Sequence, residues 1–104
     1  MIIKKEKIQT TTPKTEISRE GFSEFALYLP HAQSVSIAGT FNNWNTFSSK
    51  LTKDPAGNWR ISLRLTPGRY QYRFYVDGKW VDDPRAKETV SNSFGTRNAV
   101  REVR

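Results

Sequence analysis

From Gly21 onward, apolar and polar residues alternate with the period of two that puts successive side chains on opposite faces of a strand. Phe25, Leu27 and Leu29 alternate with Glu24, Ala26 and Tyr28, and Pro30 ends the run. Val35 and Ile37 predict a second short strand stopped by Gly39, and the polar and aromatic stretch from Thr40 to Asn45 predicts a loop. The pattern is clearest from Trp59 to Leu65. There Trp59, Ile61, Leu63 and Leu65 share one face, and Arg60, Ser62 and Arg64 share the other. In the next run Tyr70, Tyr72, Phe74 and Val76 oppose Gln71, Arg73 and Tyr75. Pro67-Gly68 between these two runs predicts that they pair as an antiparallel hairpin. Asp77-Gly78 is a strong signal for a two-residue turn, since such turns need positive φ. It returns the chain through Lys79, Trp80 and Val81, and a last strand is expected from Asn98 to Val103.

No helical period persists along the chain, and short strands at close spacing predict an all-β sandwich of about seven antiparallel strands. With 104 residues the chain fits one domain. Residues 1–20 hold Thr10-Thr11-Thr12-Pro13, many charges and few apolar residues, so they are expected to be an extended or mobile leader to a domain over 21–104. Ile2, Ile3 and Ile8 could still dock that leader as an edge strand.

Composition agrees with strands: the apolar residues are mostly aromatic and β-branched, with one Met. The absence of cysteine excludes a disulfide scaffold and a thiol-ligated metal, and fits a reducing, cytoplasmic compartment. Neither a signal peptide nor a membrane-spanning run is visible, so no membrane partner is expected. A net charge of +7 raises nucleic acid as a partner. Its distribution argues against that: Lys4, Lys5, Lys7, Lys14 and Arg19 are interleaved with Glu6, Glu16 and Glu20, and the other basic residues are dispersed.

The residues of an active centre are missing from the pattern. His31 is the single histidine and follows Pro30 in an expected turn, so neither general-base chemistry nor a metal site has its usual residues. Glycoside hydrolysis needs two opposed carboxyls, whereas Asp82 and Asp83 are adjacent and point to opposite sides of an extended chain. No cofactor and no catalytic residues are expected.

Sugar recognition is better supplied. Sugars present flat C–H surfaces and many neutral hydroxyls, which suit aromatic rings flanked by amides, hydroxyls and guanidinium groups. Trp59 leads an apolar strand face and belongs to the core. Trp44, in Phe41-Asn42-Asn43-Trp44-Asn45, lies in a loop and is a candidate for an exposed, functional ring. Trp80, between Lys79 and Val81, is ambiguous by pattern alone. Arg73 shares a face with Gln71 and Tyr75 and lies across the Asp77-Gly78 turn from Trp80, close enough for their side chains to meet.

Four blocks then occur in order: Ala38-Gly39-Thr40-Phe41-Asn42-Asn43-Trp44; the run from Pro67-Gly68-Arg69-Tyr70 to Val76-Asp77-Gly78-Lys79-Trp80; Asp83-Pro84; and Phe94-Gly95-Thr96-Arg97-Asn98. Over about residues 22–103 this resembles the carbohydrate-binding modules of family 48, which include the glycogen-binding domain of the AMP-activated protein kinase β subunit and the N-terminal domains of isoamylases and branching enzymes. The resemblance implies an immunoglobulin-like, early-set sandwich. It implies that Trp44 and Trp80 stack on glucose and that Asn98 and Thr96 meet sugar hydroxyls. Arg73 stands where the kinase-type modules carry a sugar-binding Lys, and Phe94 where they carry a Leu packed against the glucan. Arg for Lys keeps the charge but changes its geometry, and Phe for Leu is bulkier. The expected function is non-catalytic binding of α-glucan. A module that docks onto a glucan-metabolising enzyme or kinase-like partner is the alternative. With the last strand ending near the C-terminus, no attached enzyme domain is expected.

Overall fold

The computed structural model describes residues 21–104. The expected leader, residues 1–20, lies outside the described residues. Among the described residues eight strands are formed: β1 Phe22–Tyr28, β2 Val35–Gly39, β3 Thr52–Lys53, β4 Asn58–Arg64, β5 Gly68–Val76, β6 Lys79–Val81, β7 Glu88–Ser91 and β8 Arg97–Val103. A 3₁₀ turn, Thr40–Asn42, follows β2. The strands make two antiparallel sheets: a small one in the order β1-β4-β3, and a larger one in the order β2-β5-β8-β7, with β6 also paired to β5. The all-β sandwich read from the alternation is what the chain forms.

The strands β1, β4 and β5 turn their expected faces inward. Phe25 and Leu27 of β1 oppose Ile61 and Trp59 of β4, and the larger sheet contributes Val35, Ile37, Tyr72, Phe74 and Ala99 to the same core. Aromatic rings meet edge-to-face inside it, Phe25 on Tyr72 at 5.0 Å and Tyr72 on Phe74 at 6.0 Å between centroids. Trp59 is buried as expected, and its Nε1–H donates to the Leu29 carbonyl at 2.8 Å, so the indole brings no unsatisfied donor into the core.

One pairing differs from the sequence expectation. β4 and β5 do not form a hairpin: β4 pairs with β1 and β3, and β5 with β2, β6 and β8. Both strands carry a full apolar face. Side by side in one sheet they would cover the same side; placed in opposite sheets, Trp59 and Phe74 bury each other's layer. The segment Leu65–Gly68 therefore crosses between sheets instead of turning within one. Buried Leu65 anchors it, its N–H bonded to the Gly21 carbonyl at 2.9 Å.

The Asp77-Gly78 turn is formed with both residues at positive φ, 48° and 84°. It sends β6 back along β5, with Trp80 directly opposite Tyr75. The Asp77 carboxylate also accepts the Gln33 and Ser34 N–H groups at 3.0 and 2.8 Å, tying the turn to the approach to β2. Among the described residues, no helix is long and apolar enough to cross a membrane.

Candidate functional site

Strand parity assembles one face of the larger sheet. Gln71, Arg73 and Tyr75 point outward from β5, because Tyr72 and Phe74 between them point into the core. Trp80 pairs with Tyr75, and Val100 with Gln71, so Trp80 and Asn98 share this outer face. The Tyr75 and Trp80 rings meet edge-on at 5.0 Å between centroids, and the Arg73 guanidinium lies 6.0 Å from the Trp80 ring.

Trp44 reaches this face from the loop after β2. The Asn42 side chain organises that loop: its Oδ1 accepts the Gly39 N–H at 2.9 Å, and its Nδ2 lies within bonding distance of the Ile37 carbonyl and the Ser49 hydroxyl. Gly39 leaves no room for a side chain, since a Cβ there would sit 2.3 Å from the Gln71 carbonyl oxygen. Asn43 and Trp44 then adopt left-handed backbone, φ 57° and 59°, and the Trp44 N–H closes onto the Gly39 carbonyl at 2.9 Å. Asparagine tolerates that region, but a bulky aromatic pays for it in strain of order 1–3 kcal/mol. The conformation sets the half-buried Trp44 ring edge-on to Trp80, centroids 6.3 Å apart.

The third wall is the turn between β7 and β8, which folds around Asn92. Its Oδ1 accepts the Phe94 N–H at 3.0 Å, the Thr96 N–H at 3.1 Å and the Thr96 hydroxyl at 3.0 Å. Its Nδ2 donates to Asn98 Oδ1 at 2.9 Å, while Asn98 Nδ2 donates to Gln71 Oε1 at 3.0 Å. Asn98 is only 8% exposed, so this chain fixes which way its carboxamide faces. Phe94 has its backbone held by Asn92 and its ring 89% exposed. Arg73 is oriented from two sides: Nε and Nη2 donate to Asp82 Oδ1 at 3.1 and 2.7 Å, and Nη1 to the Thr96 hydroxyl at 3.4 Å. A guanidinium has five N–H donors, so two remain for a ligand.

Together these groups wall an open groove of about 760 Å³. The structure brings all six candidates from the sequence, Trp44, Arg73, Trp80, Phe94, Thr96 and Asn98, to this one groove. Asn98 is more enclosed than its place at the start of a strand suggested, and Trp80 is 43% exposed. Gln71 and Asn92 line the groove as well and were not singled out from the sequence. Asn92-Ser93-Phe94-Gly95 carries the signal that could have found Asn92: an asparagine whose side chain bonds N–H groups just ahead of it in a turn. Among the described residues no group of three or more His, Cys, Asp and Glu could hold a metal ion.

Residues 28–104 match the family described as the glycogen recognition site of AMP-activated protein kinase. The chain belongs to this glycogen-recognition family. Its relatives include 5'-AMP-activated protein kinase subunit beta-1 of Bos taurus, 38% identical over 72 residues, which are 69% of this chain and 25% of that protein. Protein FLOURY ENDOSPERM 6, chloroplastic, of Oryza sativa subsp. japonica is 36% identical over 69 residues, 66% of this chain and 13% of the relative. Protein PTST homolog 2, chloroplastic, of Arabidopsis thaliana is 42% identical over 63 residues, 61% of this chain and 12% of the relative. The chain thus spans a quarter or less of the length of these relatives. Its family match covers all the strands from β2 to β8, and with them every wall of the groove.

Proposed function

We propose that this chain binds α-glucan, as glycogen or starch-like chains of α-1,4-linked glucose, in the groove walled by Trp44, Trp80 and the Asn92 turn. The observation that carries the proposal is the meeting of two tryptophan rings with a fixed set of neutral and cationic hydrogen-bonding groups, in a chain of the glycogen-recognition family. The exposed faces of Trp80 and Trp44 offer apolar surface to the C–H side of a glucose ring. Arg73 keeps two donors free for hydroxyls, and Asn98 has one amide N–H beyond the one given to Gln71. The groups are already held by one another, so little ordering is left to the moment of binding.

Binding without turnover is the form of this proposal. Its support is that Asp82 is paired with the groove's own Arg73, while Asp83 is bonded to Tyr72 on the opposite face of β5. They do not flank a common bond as hydrolysis requires. A second reading, docking onto a glucan-metabolising enzyme or kinase-like partner, is favoured by the outward ring of Phe94.

Calorimetric titration with maltoheptaose, and with cellohexaose as the β-linked control, tests the proposal. Saturable heat with the α-linked chain alone is expected, little changed between ~50 and ~200 mM salt because the ligand is uncharged. No heat with either sugar would reject glucan binding and leave the docking reading.

A further inference from the structure

A second groove, of about 320 Å³, lies beside the first. Tyr75 lines it, and the Tyr75 ring touches Trp80, so the two grooves share an aromatic wall. The loop that carries Trp44 to the first groove carries Phe47, three residues later, to the second. Each groove therefore sets a ring of this loop against a ring of the larger sheet: Trp44 with Trp80, and Phe47 with Tyr75.

The Phe47 ring is 78% exposed, yet its backbone is held in place. Its N–H donates to Asn45 Oδ1 at 2.7 Å, and the preceding Thr46 carbonyl accepts the Ser36 hydroxyl at 2.7 Å. Ser36 is the cross-strand partner of Tyr75, so that bond docks the loop beside the Tyr75 ring. Gln33, Ser34, Ser36, Thr46 and Lys50 contribute to the polar lining, and Asp77 fixes the backbone of the first two. Among the described residues the lining thus offers amide, hydroxyl and ammonium groups and no carboxylate, much like the first groove. An exposed ring held on a braced loop, with donors and acceptors around it, has the chemistry of a sugar subsite.

We infer that the glucan surface continues past Trp80, and that Tyr75 and Phe47 hold further glucose units of the same chain that occupies the first groove. This rests on the glucan reading above and extends it to a preference for long chains. The edge-on contacts from Trp44 through Trp80 to Tyr75 link the rings of the two grooves in one series.

Calorimetry on the wild type, Phe47→Ala, Phe47→Trp and Trp80→Ala, with maltotriose and with a long-chain maltodextrin, tests the inference. Phe47 is exposed, so its replacement leaves the fold intact. Phe47→Ala is expected to weaken maltodextrin binding about fivefold or more, as loss of a stacking ring does, and to leave maltotriose unchanged. Phe47→Trp should bind maltodextrin at least as well as the wild type, and Trp80→Ala should weaken both ligands. If Phe47→Ala binds maltodextrin like the wild type while Trp80→Ala does not, the extension is wrong and the first groove stands. If the wild type binds neither sugar, both readings fall.

Discussion

Asp82 and Asp83 are consecutive residues that hold opposite faces of the same strand. Asp82 bonds Arg73 on the outer face of β5 at 2.7 Å, and Asp83 accepts the Tyr72 hydroxyl on the inner face at 2.5 Å. Tyr72 and Arg73 are themselves neighbours, so the end of β6 is pinned to β5 from both sides, one residue after Val81. Burial, and then the bond to Asp83, push the Tyr72 hydroxyl well above the usual tyrosine range.

The two carboxylates should therefore separate by readout. Asp82 is 71% exposed, so Asp82→Ala is expected to change the unfolding free energy by less than about 1 kcal/mol. It releases Arg73 and should weaken glucan binding by up to about fivefold. Asp83→Ala leaves a buried hydroxyl without its acceptor and should cost about 1–3 kcal/mol. Much of that should return in the double variant Tyr72→Phe/Asp83→Ala, which removes the orphaned group. Urea unfolding and calorimetry measure both effects; an Asp83→Ala variant as stable as the wild type would remove the pinning role.

Trp44 offers a test of backbone strain. Its φ of 59° disfavours any side chain with a Cβ, by roughly 1–2 kcal/mol relative to glycine. Trp44→Gly should thus be more stable than Trp44→Ala by about 1 kcal/mol, the reverse of the order at an ordinary position, although both lose the ring. Thermal unfolding of the pair decides it; the opposite order would place Trp44 in relaxed backbone.

Asn92 is expected to act by holding the turn that carries Phe94 and Thr96. In Asn92→Ala, hydrogen exchange at the Phe94 and Thr96 amides should quicken by roughly 3–10-fold, the loss of one hydrogen bond each. Amides in the core strands β4 and β5 should keep their protection. Uniform acceleration across the domain would mean that Asn92 supports the whole fold and not this turn.

The faces of β1, β4 and β5 were legible because burial on one side writes a period of two into the sequence, as Phe25, Trp59 and Phe74 do. The partner of β4 was not legible, because alternation assigns a face and says nothing about which sheet a strand joins. Thr66-Pro67-Gly68 has the composition of a hairpin turn and serves as a crossing. The strands β3 and β7 escaped notice for a different reason: Thr52–Lys53 has no apolar residue, and Glu88–Ser91 has only Val90. Of the groove, Trp44 stood out as a ring without an apolar run around it, whereas Trp80 was ambiguous by pattern and Phe94, Thr96 and Asn98 came only from the family resemblance. Asn92 and Gln71 did not, since a single amide carries no periodic signal and its role exists only once β5, β7 and β8 are side by side.

The central claim is that Trp80 is a ligand-facing ring and not part of the core. Native electrophoresis in gels containing glycogen, on the wild type and on Trp80→Ala, tests it most directly, with thermal unfolding of both run alongside. The wild type is expected to be retarded by glycogen. Trp80→Ala should bind about 5–150-fold more weakly, the equivalent of 1–3 kcal/mol for a stacking ring, at a nearly unchanged melting temperature. Unretarded migration of the wild type, or a Trp80→Ala variant that melts far lower while keeping its retardation, would contradict the account.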